Sequence, residues 1–338
     1  MAFENNVSTK IKLRDLQLPV DYKHIAMLFN SIEPGTTTVE ALEDEDRHIP
    51  QKSTLTLNDQ GLLTGFGRIR VLAENTNGQV IGYGASWRAP WSDPGELAST
   101  FCVHPDYQRQ GVGKLILSSL ENWAASHQAS ILLSEVKDWI PGSLPFAQKH
   151  GFLVDAHIFE LRLNLNQLDL TKFADPIHRL KDSSITFVTL ADIAGEASEK
   201  KLYDLYVETS KDNPGQSGNL PPFSEWRKEA LPENCSQEKW VFIALDCDRF
   251  VGVSTLFSTD ETGVLYTDYT GVDRHYRGRG IAKALKLLSI QAAIDEGAHT
   301  MTTDTEAGNE SMQRLNRGLG YMPGKGHYRI RKLLISEV

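Results

Sequence analysis

The strongest constraint on this chain is that it contains one pattern twice. Val103-His104-Pro105-Asp106-Tyr107-Gln108-Arg109-Gln110-Gly111-Val112-Gly113-Lys114 lines up with Val272-Asp273-Arg274-His275-Tyr276-Arg277-Gly278-Arg279-Gly280-Ile281-Ala282-Lys283. Position 103 maps to 272 and 111 to 280, an offset of 169, and His150-Gly151-Phe152 maps to Leu319-Gly320-Tyr321 at the same offset. Two separated landmarks in one register exclude a chance likeness of short glycine-rich strings. The period is far longer than the roughly 20–50 residues of a solenoid unit, so the chain reads as two copies of one domain. A length of 338 residues fits that count, since a domain takes roughly 150 residues.

Each copy alternates strand and helix patterns. In the first, apolar alternation marks strands at 68–73, 80–87 and 97–103, and the spacing of Val112, Leu115, Ile116, Leu120 and Trp123 marks a helix over 111–126. A strand at 130–136, a short helix ending near His150 and a strand over 152–163 complete it. The second copy repeats the order, with strands at 240–245, 250–257 and 264–272, a helix over 280–296, then a strand, a helix and a strand. The expected organisation is an α/β chain of the α+β type. Its first module covers 1–168, a polar linker broken by Pro176 covers 169–184, and its second module covers 185–338.

Composition narrows the function. The net charge of −9 makes a general nucleic-acid binder a poor expectation, because phosphate neutralisation needs clustered cations. It favours, weakly, a cationic substrate. Cys102, Cys235 and Cys247 are an odd number without a CxxC pair, so neither a disulfide frame nor a zinc site is expected. No apolar run approaches the ~18–20 residues that span a bilayer, and the first residues carry no basic-then-apolar leader. A cytoplasmic protein without a membrane partner is expected.

In both copies a strand feeds a glycine-rich turn that opens a helix. The first amides of a helix lack internal partners and face outward at its positive end, so such a turn can cradle a phosphate. The strings Gln108-x-x-Gly111-x-Gly113 and Arg277-x-x-Gly280-x-Ala282 are neither the Walker A loop nor the GxGxxG dinucleotide fingerprint. A turn needing glycine only for its backbone is the bland alternative. With Gly151-Phe152 and Gly320-Tyr321 about 40 residues on, the pattern resembles the GNAT acyltransferases, as two modules in tandem. The layout is similar to that of mycothiol synthase and of antibiotic self-resistance acetyltransferases. The resemblance implies modules with a mixed, mostly antiparallel sheet flanked by helices, packed on each other. It implies acetyl-CoA as cofactor and N-acetyl transfer to a small, cationic amine, an antibiotic or a metabolite. In each module the strand before the cradle would hold pantetheine through its backbone, at Cys102 and Val103 or at Gly271 and Val272. The pyrophosphate would lie on Gln108, Arg109, Gln110, Gly111, Val112, Gly113 and Lys114, or on Arg277, Gly278, Arg279, Gly280, Ile281, Ala282 and Lys283.

The copies differ beyond the cradle. The family often places an Asn eleven residues, and a Tyr four residues, before the later Gly. The second copy has Asn309 and Asn316 there; the first has Ile140 and Ala147. Asn309 and Asn316 also read as cap and surface residues. The resemblance therefore favours the second copy as the more complete cofactor site.

Attack by an amine requires its deprotonation. Asp268, four residues before Val272, is the best general-base candidate, with Tyr266 and Tyr269 beside it. Counting back from Val103 gives Ser99, which cannot serve unaided. Glu96, on the corresponding strand of the first copy, lies at odd spacing, so alternation aims it elsewhere unless a bulge intervenes. Asp268 also reads as a strand-end carboxylate held by backbone donors or by Arg274. Two rivals stay open: catalysis in the first module, using its regular cradle and Glu96, and a coenzyme A-binding protein without turnover. Asp212-x-Pro214 with Phe223-Ser224-Glu225-Trp226, and Val39–Leu42, resemble acceptor-side segments. Trp87, Trp91, Trp139, Trp226 and Trp240 are candidate acceptor walls as well as core residues. The acceptor and the oligomeric state are not legible in the sequence.

Overall fold

The structure, a computed structural model, describes residues 11–47, 52–89, 92–173, 180, 184–213, 221–231 and 238–334. Most of the expected linker, together with Trp91, Pro214 and Cys235, lies outside the described residues. The chain divides into two compact units. One comprises 1–136, 140–155 and 328–338; the other comprises 137–139 and 156–327.

The first unit opens with β1 (Lys12–Asp15), α1 (Val20–Ile32) and α2 (Val39–Arg47), followed by the small hairpin of β2 (Thr56–Leu57) and β3 (Leu63–Thr64). Then come β4 (Gly67–Glu74), β5 (Val80–Arg88), β6 (Glu96–Val103), α3 (Val112–Ser126), β7 (Ile131–Lys137) and α4 (Ser143–Lys149). Strands β1, β4, β5 and β6 pair antiparallel in that order, and β7 pairs parallel to β6. The acidic tail of α2 is a structural pin: Asp46 takes Arg68 and Arg70 at 2.7 and 2.8 Å and the Tyr22 hydroxyl at 2.6 Å.

The second unit holds β9 (Ile185–Thr189), α5 (Glu196–Ser210), α6 (Phe223–Ala230), β10 (Val241–Asp246), β11 (Arg249–Ser258) and β12 (Val264–Val272). These lead to α7 (Ile281–Asp295), β13 (Thr300–Glu306) and α8 (Glu310–Gly318). Strands β9 to β12 are again antiparallel neighbours, and β13 is parallel to β12. The helix after each cradle lies tight on its sheet because glycine stands beneath it. A Cβ at Gly82 would come 2.8 Å from Ile116, and one at Gly252 would come 2.9 Å from Ile281.

The last strand of each copy serves both units. β8 (Leu153–Asn164) belongs to the first unit only through Leu153–Asp155, and its remainder pairs with β13 in the second, Ile158 to Asn164 against Glu306 to Thr300. β14 (Met322–Leu333) does the reverse. Its part from Tyr328 on belongs to the first unit, where it neighbours β7 and the Leu334 amide donates to the Ser130 carbonyl at 2.9 Å. Ile330 accordingly packs in the first unit's core with Leu97, Leu117, Leu132 and Phe152, whereas Leu161 and Leu163 pack in the second unit's core with Met301, Ile290 and Tyr321. The units therefore do not follow the chain order expected of two consecutive modules. A linear reading has no signal for this, because each strand follows the short helix of its own copy, α4 or α8, in the same chain order.

Candidate active site

In both units the strand before the cradle leaves its parallel neighbour part-way. β6 pairs with β7 only from Glu96 to Ser99, and β12 pairs with β13 only from Val264 to Tyr266. Beyond these points the strands separate and open a wedge beside the cradle. A hydroxyl marks each apex: Ser134 Oγ donates to the Ser99 carbonyl at 2.9 Å, and Thr303 Oγ1 donates to the Thr267 carbonyl at 2.9 Å.

The cradles match closely. Arg109 and Gly111 have φ of 62° and 87°, and Gly278 and Gly280 have 77° and 89°, so each turn carries two left-handed residues in the same places. Gln108 Nε2 donates to the Val103 carbonyl at 3.3 Å, as Arg277 Nε does to the Val272 carbonyl at 3.0 Å. Gln110 and Arg279 likewise reach back to the carbonyls of Asp106 and His275. A Cβ on Gly111 or Gly280 would meet nothing within 4 Å, so space lies open in front of both helix starts. These residues, with Val112, Gly113, Lys114, Ile281, Ala282 and Lys283 on the first turns, are brought together as the sequence suggested. The positive charge of the second cradle is smaller than its arginine count implies, because Arg274 and Arg277 both pair with Asp212 at 2.8 Å.

The wedges differ. In the first unit Phe101 and Phe146 stack edge-on at 5.8 Å between centroids, and the ring of Phe146 crowds Gly113, where a Cβ would stand 3.3 Å from it. Val136, Leu117, Ala147 and Phe152 belong to the same apolar cluster. Cys102 lies on this strand, and burial pushes its thiol up to about 12, so no thiolate is available as a nucleophile.

In the second unit the counterparts are polar. Thr270 stands for Phe101, Thr305 for Val136, Lys286 for Leu117, Asn316 for Ala147 and Tyr321 for Phe152. Asn316 is fully buried, and among the described residues neither its side-chain oxygen nor its side-chain nitrogen has a hydrogen-bond partner. The hydroxyls of Thr267, Thr305 and Tyr321 are buried and unpartnered too. Native interiors leave few such atoms, and each calls for a water or a ligand group. Asn309 has a different duty: its side chain caps α8 by accepting from the Met312 amide at 3.2 Å.

Asp268 holds a position that counting could not find. In β12 the register slips between Thr255–Tyr269 and Leu256–Thr267, which leaves Asp268 as the extra residue of a β-bulge. In β6 the pairing with β5 runs regularly from Ala98 to Val103. Ser99 therefore corresponds to Thr267, not to Asp268, and Asp268 is an insertion without a counterpart in the first copy. The side chain is open to solvent, yet enough protein surrounds it for desolvation to raise its pKa, with the charge of Asp304 adding to the rise. Asp304 also accepts from the Tyr266 hydroxyl at 3.2 Å. Tyr269 points elsewhere: it stacks on Tyr206 at 4.5 Å, and its hydroxyl lies 2.8 Å from Thr209 Oγ1. That ring leaves no room for a side chain at Gly271, where a Cβ would fall 2.6 Å from it.

Glu96 lies at the paired end of β6, opposite Ile131, and no bulge re-aims it. Desolvation raises its pKa, with Asp93 and Asp155 adding and Arg331 and Arg329 opposing. Trp226 packs in the core against Tyr203 and Tyr206. A depression of about 460 Å³ bordered by Arg162, Asn164, Gln167 and Thr300 lies at the start of β13, away from the wedge.

A cradle and a wedge, each present twice in one chain, have parallels among known proteins. The pattern of the Acetyltransferase (GNAT) family matches residues 30–152 and again 200–321, most of the chain. The chain belongs to the GNAT acetyltransferase family. Among curated relatives, mycothiol acetyltransferase of Corynebacterium efficiens is 25% identical over 267 residues, covering 75% of this chain and 77% of that protein. N-alpha-acetyltransferase 30 of Schizosaccharomyces pombe is 32% identical over 91 residues, 26% of this GNAT chain and 61% of the yeast protein, so the match leaves over a third of that relative uncovered. A GCN5-related N-acetyltransferase from Sphaerobacter thermophilus has the same fold, with a TM-score of 0.69, 18% identity and 97% of both chains covered.

Proposed function

We propose that this GNAT chain is an N-acetyltransferase whose second module binds acetyl-CoA and transfers the acetyl group to a primary amine of a small, cationic molecule. The observation that carries the reading is the contrast between the wedges: apolar and filled by Phe101 and Phe146 in the first module, polar and unsatisfied around Asn316 in the second. The residues present fit the cofactor. The amides of 278–283 would hold its pyrophosphate, the unpaired edge of β12 from Tyr269 to Val272 its pantetheine, and the buried polar groups of the wedge its thiol end. When bound there it supplies an activated acetyl thioester. Asp268, raised on its bulge, takes the proton of the incoming ammonium, directly or through one water. The first module is a degenerate partner that contributes little to turnover.

Gly280→Asp tests the reading. Aspartate tolerates the left-handed conformation better than a branched residue, and its carboxylate sits where the pyrophosphate would lie. Calorimetric titration with coenzyme A should show at least about a hundredfold loss of affinity, since two like charges in one site cost a few kcal/mol. Gly111→Asp should leave the main binding event in place. The opposite ranking would move the site to the first module.

A further inference from the structure

Lys286 stands on the second turn of α7 and is 1% exposed. Among the described residues its ammonium has no hydrogen-bond or ion-pair partner; its one polar-group contact is the face of Tyr321, 5.3 Å from the ring centroid. A buried lysine without a counter-charge is costly and is seldom kept without use. Burial is the one influence on the amine, and among the described residues no carboxylate acts on it. The buried, unpartnered polar atoms of this unit include those of Thr267 on β12, Thr305 on β13, Asn316 on α8 and Tyr321 in the turn after it. Asp268 and Asp304 influence each other and Tyr266 instead.

These groups belong to one region. The Tyr321 amide donates to the Asn316 carbonyl at 3.1 Å. The Tyr321 hydroxyl approaches Thr267 closely enough to feel it, without reaching hydrogen-bond geometry. Thr267 marks the apex of the wedge, tied to β13 by Thr303. The same places in the first module are Leu117, Ser99, Val136, Ala147 and Phe152, and the Ser99 hydroxyl is satisfied by the Leu133 carbonyl at 2.8 Å. The second module thus has a buried lysine packed on the Tyr321 ring where the first has Leu117 in an apolar cluster with Val136, Ala147 and Phe152.

We propose that Lys286 is the charge partner of the cofactor's sulfur, the general acid that receives coenzyme A as it leaves. The proposal rests on the reading of the second module as the acetyl-CoA site. Lys286 gives one proton to the sulfur as the C–S bond breaks. The sulfur keeps the bonding pair, an S–H bond forms, and the neutral amine regains a proton from water. Burial alone pushes Lys286 down to about 7, and an alkyl thiol titrates near about 8.5, so the transfer runs downhill. Asn316, where the family often has a tyrosine, leaves this duty to another residue.

The test compares coenzyme A with desulfo-coenzyme A by calorimetry at about pH 6 on the full chain, where Lys286 carries its proton. The parent should bind coenzyme A about tenfold more tightly than the desulfo analogue, the worth of one hydrogen bond to a charged group. Lys286→Met should bind the desulfo analogue as the parent does and lose that preference. A pH series gives a second readout: the parent's preference for coenzyme A should fade as pH rises through about 7, where the amine loses its proton, and the variant should show no such dependence. If Lys286→Met does not fold, Lys286→Leu, which copies the first module's Leu117, replaces it. No thiol preference in the parent, or an equal preference in the variant, overturns the proposal alone. Failure of the parent to bind either analogue overturns the acetyl-CoA reading with it.

Discussion

Replacing Asp268 by Asn removes a carboxylate and keeps the bulge, so it separates chemistry from architecture. The carboxylate's pKa is raised first by desolvation and then by Asp304. Both make it a stronger base than an open aspartate and bring it nearer the pH at which it works. General base catalysis is typically worth about 10²- to 10⁴-fold, which is roughly 3–5 kcal/mol of barrier at 1.36 kcal/mol per decade. Steady-state kinetics on the true acceptor should therefore show kcat lower by that order, with coenzyme A affinity unchanged. Asp304→Asn supplies the internal control. Removing its charge lowers the pKa of Asp268, so the acid limb of the pH–rate profile should move to lower pH. The plateau should fall modestly, because the base has weakened. The loss in Asp268→Asn should shrink at high pH, where more of the amine is already neutral. Asp268→Asn within a few-fold of the parent at neutral pH, or an acid limb that ignores Asp304→Asn, would refute the argument.

Two further outcomes test the rest. Asn316→Ala copies Ala147 and removes two unpartnered buried atoms; it should raise the stability of the ligand-free protein by about 1 kcal/mol in thermal unfolding, while coenzyme A titration shows weaker binding. Asp21 is 1% exposed and held below the usual carboxylate range, first by its hydrogen bonds to Arg14 and then by the Gln17 amide and His24. Its folded pKa is depressed, so its stabilisation is present above the ordinary value of 3.8 and is lost as pH falls from there through the depressed folded value. Asp21→Asn should cost about 3 kcal/mol at pH 7 and make the remaining acid unfolding shallower, both read by denaturant titration across pH.

The sequence showed the cradles well because their demands are local. A helix start with two left-handed residues needs glycine at Gly111 and Gly280, and a one-dimensional pattern records that directly. The contrast at Asn316 and Ala147 was legible for the same reason, since both lie in one ungapped register with the cradle. Three features were not. The bulge at Asp268 is a one-residue insertion in β12, and counting from Val272 absorbed it silently and put Ser99 opposite. The helix of Phe223–Ala230 is short and lies among Pro and polar residues, where periodicity has little to work on. Lys286 sits on an amphipathic helix where any lysine is expected to face water; its burial follows from the polar counterparts of Val136, Ala147 and Phe152, which only the packing brings together.

The exchange of β8 and β14 has a consequence in time. The first unit cannot complete its sheet until Tyr328–Leu334 have been synthesised, long after the rest of that unit. An N-terminal domain ordinarily folds while its successor is still being made. Here the edge of β7 waits for a strand about 200 residues further along the chain, a separation that slows folding. The two copies repeat as sequence, but the first unit closes only after the second copy has been made.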